Sequence, residues 1–124
     1  MSHLPVADAR VVETPAATMR TYASPSTAVP APVAVWRTEM AAGSAGPLHV
    51  VDVDQVVVVV AGRLHAEIDG RELDVPAGDS ALLPAGVERR LCAGSEDLIT
   101  VTAAQPGGTA RIGAGDPVAV PWAR

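Results

Sequence analysis

Three polar side chains near the middle of the chain, His49, Gln55 and Arg89, are the residues best suited to acid–base chemistry on a small molecule. If the fold brings His49 and Arg89 together, the histidine should have a lowered pKa and stay neutral at about pH 7, where it can act as a general base. Arg89 could hold a carboxylate or stabilise an oxyanion through paired hydrogen bonds. Gln55 would orient the histidine or contact the substrate. The three together suit isomerase, epimerase or cyclase chemistry without a metal, on an anionic or carbonyl substrate.

The same residues stand at regular intervals in two glycine-bounded runs. Intervals of five, one, three and six residues separate Gly43, His49, Val51, Gln55 and Gly62. Intervals of five, one and two residues separate Gly78, Pro84, Gly86 and Arg89. This spacing resembles the two motifs of the cupin superfamily of small β-barrels and covers about half the chain. The resemblance implies a fold but no single function, since such a barrel hosts enzymes, sensors and binding proteins alike.

In metal-binding cupins, the positions that match His49, Val51, Gln55 and Arg89 would coordinate the ion. Here only His49 is a usual metal ligand, whereas a first-row divalent metal normally takes three or four. Arginine stays protonated and cannot coordinate. We therefore expect no tightly bound metal and no other cofactor, and the open alternative is weak metal binding through His49 and Gln55.

Side chains alternate along a strand, so the odd-numbered residues from 49 to 61 should share one face. That face would set His49 and Gln55 among valines, which is typical of a small-ligand pocket with apolar walls and a few polar groups. The predicted substrate-contacting residues of the pocket are Trp36, Thr38, Met40, Val51, Val57 and Leu91. Core packing is the alternative role for Trp36 and Met40.

Two of the polar residues have alternatives without a role in function. Arg89 either faces the pocket, where it needs an anion to offset its desolvation, or sits at the barrel mouth. In the second case it would pair with Glu39, Asp52 or Glu88, or extend its head into water. His49 could also be a packed histidine whose ring is bonded to Gln55 or to a backbone carbonyl.

The elements that must position these residues are short strands. Runs of apolar residues separated by Gly, Pro or Asp occupy 33–40, 48–60, 63–68, 80–84, 98–103 and 118–122, a pattern typical of an all-β barrel or sandwich. Asp69-Gly70 predicts a two-residue hairpin between strands 63–68 and 71–75. The resemblance narrows the prediction to a single cupin-like antiparallel β-barrel, a double-stranded β-helix or jelly roll.

The chain is long enough for one domain. Residues 33–124 are predicted to form the barrel, and the Pro- and Ala-rich residues 1–32 an extended N-terminal arm with a possible short strand at 18–22. Frequent prolines exclude a long helix there.

Charge and hydropathy limit the partners. The chain has 14 acidic and 9 basic residues, a net charge of −5 and no basic cluster, which argues against nucleic-acid binding. It has no apolar run of membrane-spanning length and no signal-like start, so we expect a cytoplasmic protein. Val56, Val58 and Val60 would form an apolar outer face that the arm or a second subunit must cover, and we expect a homodimer.

Two classes of function follow. In the first, the protein is an enzyme in which His49 is the base and Arg89 the anion clamp. In the second, the same pocket binds a small organic ligand, expected to be anionic, without turnover, as in a sensor or carrier. A degraded metal-dependent dioxygenase is a third and weaker hypothesis.

Overall fold

The regular structure of the chain is almost entirely β-strand, in a computed structural model that describes residues 2–124. Two short 3-10 helices, Val6–Asp8 and Pro121–Ala123, lie near the ends. The strands are β1 (Arg10–Glu13), β2 (Thr18–Ala23), β3 (Ala34–Met40), β4 (Val50–Val51), β5 (Gln55–Ala61), β6 (Arg63–Ile68), β7 (Arg71–Pro76), β8 (Ser80–Leu83), β9 (Arg89–Ala93), β10 (Leu98–Ala104), β11 (Thr109–Arg111) and β12 (Val118–Ala119).

The larger sheet has the strand order β1-β2-β3-β10-β5-β8, and all of its neighbouring strands are antiparallel. β5 lies between β10 and β8 in this sheet, and its valines suit a pleated surface. Val57 and Val59 are buried, whereas Val56, Val58 and Val60 are exposed. The predicted alternation along this strand is therefore confirmed, with the odd-numbered residues facing inward.

The second sheet is built from smaller pieces. Strands β7, β6 and β9 form one piece and β12, β11 and β4 another. Two isolated antiparallel bridges, from Ala45 to Cys92 and from His49 to Arg89, connect β9 to the segment that leads into β4. The two pieces therefore continue one another and face the larger sheet, which gives the predicted all-β, antiparallel jelly-roll barrel.

A shared core joins the two sheets. Met40, Val57 and Leu98 of the larger sheet pack with Leu64 and Ala93 of the second. Another buried cluster holds Met19, Trp36, Ala104, Val120 and Ala123, so the C-terminal residues pack onto the inner face of β2 and β3. The first cluster thus joins the two sheets, and the second holds the C-terminal residues against the larger sheet.

The turn chemistry was predicted correctly. β6 and β7 pair from Arg63–Pro76 to Ile68–Arg71, and Asp69 and Gly70 both have positive φ, at 53° and 74°. Positive φ at both central residues is the signature of a type I′ hairpin turn. Gly62 is required for a different reason than Gly70: a Cβ at residue 62 would collide with the carbonyl oxygen of Asp97.

Other boundaries differ from those predicted. The run 48–60 is divided into β4 and β5 by a bend at Asp52 and Val53, and only Val118–Ala119 of 118–122 is strand because Pro121 lacks the N–H that a ladder needs. β1, β9 and β11 were not predicted. The predicted strand 18–22 exists as β2 and pairs with β3 of its own chain; the domain division at residue 32 stays a prediction. No helix formed by residues 2–124 has the length and apolar character needed to cross a membrane.

Candidate functional site

A cavity of about 900 Å³ lies inside the barrel, between the inner faces of β2, β3, β5 and β10 and the C-terminal residues. Most of its wall is apolar, with a few polar side chains. This is the composition expected of a pocket for a small organic ligand, in which polar groups fix orientation and apolar groups supply contact area.

Eight of the nine sequence-predicted site residues line this cavity. They are Trp36, Thr38, Met40, His49, Val51, Gln55, Val57 and Leu91. Arg89 is the exception. The motif spacing correctly placed His49 and Arg89 on neighbouring segments: they form a backbone pair in which each N–H donates to the other's carbonyl at 2.9 Å. The spacing could not predict the direction of the Arg89 side chain.

His49 is held by its own segment. Its Nδ1 lies 2.9 Å from the carbonyl oxygen of Pro47, and because a carbonyl can only accept, Nδ1 must carry the proton. The neutral ring therefore has its free lone pair on Nε2. Burial lowers the pKa of His49, the bond to Pro47 raises it and the nearby Arg89 charge lowers it further, with a net lowering. Near neutral pH the ring is a neutral imidazole on the cavity wall, with its proton on Nδ1.

The Pro47 carbonyl is thus the group that orients His49. Gln55, which the sequence suggested for that task, makes no side-chain hydrogen bond within residues 2–124. It is only 9% exposed and lines the cavity. An amide in that position is free to donate to a ligand oxygen or accept from a ligand hydroxyl.

Arg89 is one of the most deeply buried side chains of the protein, at 1% exposure. Its guanidinium donates to the carbonyls of Val87 at 2.8 Å, Pro84 at 3.1 Å and Leu83 at 3.2 Å. Burial lowers its pKa, and the negative charge of Asp54 opposes that effect. The guanidinium therefore secures the turn after β8.

Asp52 and Asp54 support the same end of the barrel from outside. Asp54 Oδ1 accepts the backbone N–H of Ala85 at 2.7 Å, on the turn that Arg89 also holds. Asp52 accepts both the backbone N–H and the hydroxyl of Thr109, at 2.7 and 2.9 Å. Those bonds lower the pKa of Asp52, and they fasten β11 to the segment after β4.

Two buried threonines on β10, Thr100 and Thr102, belong to the site and were not predicted. Each is 4% exposed and lines the cavity. Their signal in the sequence is the alternation Leu98-Ile99-Thr100-Val101-Thr102, where threonine occupies successive positions of one face. That parity could have been read only if the inward face of β10 had been known.

The C-terminal residues close the cavity. Val120 and Trp122 line it, and the Trp122 carbonyl accepts the hydroxyl of Thr21 at 2.7 Å. The carbonyl of Arg124 accepts from Ser26 at 2.7 Å and from Arg10 at 3.2 Å. The N-terminal strands therefore hold the C-terminus in place over the pocket, a role for Trp122 that its sequence context left undecided.

The four motif positions do not together offer the donors that a divalent metal normally takes. Of the four positions that would coordinate one, Val51 has no donor, Arg89 is bonded to carbonyls, and His49 and Gln55 remain. Among residues 2–124, no group of three or more His, Cys, Asp or Glu side chains is arranged to hold a metal ion. One imidazole and one amide fall short of a usual site.

Comparison with known proteins agrees with the fold. The sequence profile described as a cupin domain matches residues 36–104, and no curated protein sequence matches the chain. The solved structure of the polyketide cyclase RemF from Streptomyces resistomycificus is similar with a TM-score of 0.70 and 18% identity, covering 84% of this chain and 78% of that one. KdgF from Halomonas sp. is similar with a TM-score of 0.71 and 18% identity, covering 86% and 94%.

A third similar structure is a sugar phosphate isomerase of the cupin superfamily from Silicibacter pomeroyi. Its TM-score is 0.62 and its identity 20%, with 79% of this chain and 67% of that chain covered. At these identities the likeness establishes a common barrel and leaves the chemistry to the residues of the cavity.

Proposed function

The chain belongs to the cupin family, and we propose that it binds a small, largely apolar carbonyl compound in the central cavity and transfers a proton on it through His49. The observation that carries the proposal is the Nδ1 contact of His49 with the Pro47 carbonyl, which leaves Nε2 as the free base. The lowered pKa of His49 keeps that base unprotonated at neutral pH.

The proposed step is an enolisation. Nε2 of His49 takes a proton from the carbon next to the ligand carbonyl, the C–H electron pair moves into the new C=C bond, and the carbonyl oxygen takes up the negative charge. The imidazolium then returns the proton to the same carbon, or to a conjugated carbon where the ligand forms a dienolate; for epimerisation, water protonates the opposite face and the imidazolium gives its proton to solvent. Isomerisation, epimerisation or an aldol-type ring closure would follow from where the enolate reacts. No oxidant is needed.

A neutral carbonyl ligand suits the cavity better than an anion. The expectation of an anionic ligand depended on Arg89 facing the pocket, and its guanidinium is instead bonded to three backbone carbonyls. No residue that lines the cavity is Lys or Arg. Gln55 and the threonine hydroxyls can donate to a carbonyl oxygen without the charge that a carboxylate would require.

The donor set leads us to propose that the reaction uses no bound metal. The names of two structural neighbours, a cyclase and an isomerase, belong to the reaction classes expected here; they support the class of reaction and not a particular substrate. The alternative is a carrier or sensor that binds the same ligand without turnover. It is favoured by one observation, that among residues 2–124 the cavity wall includes no Lys or Arg that could stabilise a developing negative charge.

Proton exchange on a simple ketone tests the proposal. 1-Tetralone is apolar, fits the cavity volume and has exchangeable protons beside its carbonyl. In D₂O, proton NMR should show saturable acceleration of their exchange by the wild-type protein and none by His49→Gln. The matched control is His65→Gln, since His65 lies on the outer surface with its Nδ1 3.2 Å from Asp74.

Two results would count against the proposal in different ways. Equal acceleration by wild type and His49→Gln would remove His49 as the base. Binding of 1-tetralone, seen by calorimetry, without any exchange would favour the carrier or sensor alternative.

A further inference from the structure

Three threonines form a polar row on the cavity wall: Thr38 on β3, and Thr100 and Thr102 on β10. No hydrogen bond engages their hydroxyls within residues 2–124. Thr100 and Thr102 are buried and Thr38 is half-buried, and all three face the cavity, where a ligand oxygen could bond to their hydroxyls. Another buried threonine, Thr21, shows the usual solution, since its hydroxyl donates to the Trp122 carbonyl.

The geometry of the row is set by the strand register. Thr38 lies directly opposite Thr100, and Thr102 follows two residues along β10. Two residues on one face of a strand are about 7 Å apart. Gln55 continues the line, because it pairs with Ala104 while its neighbour on the same face, Val57, pairs with Thr102. Thr100 and Thr102 thus follow one another along β10, with Thr38 beside Thr100 on β3 and Gln55 diagonal to Thr102 on β5.

The rest of the wall is different in character. Met19, Met40, Val51 and Leu91 offer only apolar contact, and Trp36 and Trp122 add aromatic faces. A molecule in this cavity therefore meets a group of hydroxyls and an amide on β3, β5 and β10 and a mostly apolar wall elsewhere, with His49, Thr14 and Asp116 as further polar side chains. Valine has the same shape as threonine and would fill the same space, so what threonine adds at these positions is the hydroxyl.

We infer that the threonine row, Thr38, Thr100 and Thr102, together with Gln55, recognises the oxygen-bearing edge of the ligand. The ligand class is a flat apolar molecule with at least two oxygens along one edge, spaced about 7 Å apart to match successive threonines. This inference rests on the proposed function, because it describes the substrate that the cavity would hold for His49.

Two isomeric probes separate this recognition from simple apolar binding. Naphthalene-2,7-diol carries both hydroxyls on one long edge, at a separation comparable to that of Thr100 and Thr102. Naphthalene-2,6-diol has the same size and polarity but carries them on opposite edges. Calorimetric titration of the wild-type protein should show at least tenfold tighter binding of the 2,7 isomer.

The double variant Thr100→Val/Thr102→Val should lose this preference and bind the two diols equally. Thr100→Ser/Thr102→Ser keeps the hydroxyls and should retain the preference, which guards against an effect of altered packing. Thr18→Val is the matched control, since Thr18 lies on β2 and does not line the cavity; its preference should equal that of the wild type.

The failures are distinguishable. Equal affinity of the wild-type protein for both diols, or a preference that survives the valine double variant, would overturn the inference while leaving a cavity that binds apolar rings. Failure of both diols to bind would also overturn the inference, whereas the proposed function stands or falls separately on proton exchange of 1-tetralone by His49.

Discussion

His49 Nδ1 and the carbonyl oxygen of Pro47, 2.9 Å apart, determine which nitrogen of the imidazole faces the chemistry. The contact is local, since the two residues belong to one segment whose backbone is fixed against β9 by the His49–Arg89 pair. It needs no second side chain to set the tautomer. A base built in this way is ready before a ligand arrives, and its pKa is set by burial more than by any partner.

The lowered pKa of His49 predicts a pH dependence of activity. The base works only when unprotonated, so proton exchange on 1-tetralone should be at its full rate at neutral pH and fall as the pH drops through the folded-state pKa of His49. That midpoint should lie below the ordinary value of 6.5. The pH–rate profile of kcat/KM checks this, and a midpoint above 6.5 would contradict the burial of the ring.

The same shift predicts a pH dependence of stability. Below pH 6.5 the unfolded chain binds a proton at His49 more readily than the folded one does. The contribution of His49 to the free energy of unfolding should therefore be at its maximum above pH 6.5. It should decrease as the pH falls from 6.5 through the folded-state pKa. Urea unfolding at several pH values should show this decrease in the wild type and a smaller one in His49→Gln. An equal decrease of the free energy of unfolding in the two proteins would be evidence against a neutral, half-buried His49 with a lowered pKa.

Arg89 should matter for stability more than for ligand binding. Arg89→Ala removes three hydrogen bonds to carbonyls and leaves a void, and we expect it to lower the free energy of unfolding by about 3 kcal/mol. Arg90→Ala is the matched control, because Arg90 is partly exposed and its ion pair with Glu67 is long, at 4.0 Å. We expect this change to lower the free energy of unfolding by less than about 1 kcal/mol. Denaturant unfolding measures both.

The earlier expectation for Arg89, that it clamps an anion, has an opposite signature. If Arg89→Ala left stability unchanged but abolished the thermal stabilisation of the protein by small carboxylates, Arg89 would be a ligand-binding residue after all.

The outer face of β5 predicts self-association. Val56, Val58 and Val60 are exposed, and Leu82 of β8 stands beside them at 59% exposure. Val58→Glu would place a charge at the centre of this patch and should convert the expected homodimer to a monomer. Val11→Glu, at a similarly exposed position on the edge strand β1, should not. Sedimentation velocity distinguishes the outcomes, and a wild-type monomer would remove the prediction.

A metal test follows from the donor set at the cavity. Protein purified without chelator should contain well below one equivalent of iron, nickel, manganese or zinc by elemental analysis, and treatment with EDTA should leave ketone exchange unchanged. One full equivalent, lost together with activity on chelation, would show that His49 and Gln55 support a metal site despite the missing ligands.

Local signals were enough to predict short strands, and the resemblance to the two cupin motifs narrowed that prediction to a barrel. The alternation of β5, the Asp69-Gly70 turn and the spaced glycines each act through backbone preference and depend little on the rest of the fold. Strands with weaker patterns were missed: β9 mixes Arg89 and Arg90 with Leu91, and β11 is held mainly by the bonds from Asp52 to Thr109.

The site was harder to predict than the fold because it depends on side-chain direction. Arg89 is buried, but burial of an arginine does not say which acceptors it reaches. Those acceptors are backbone carbonyls at the end of β8 and in the turn that follows it. Every residue type has a backbone carbonyl, so the sequence does not show which carbonyls a side chain will reach. The Pro47 carbonyl that orients His49 was invisible for the same reason.

The most direct test is the tautomer of His49 itself, which needs no knowledge of the ligand. Long-range proton–nitrogen correlation NMR on uniformly ¹⁵N-labelled protein at about pH 7 resolves protonated from unprotonated ring nitrogens, and His49→Gln assigns the signals. The structure predicts a neutral ring with the proton on Nδ1 and an unprotonated Nε2. A proton on Nε2, or an imidazolium at that pH, would contradict the proposal that His49 is the base of this cavity.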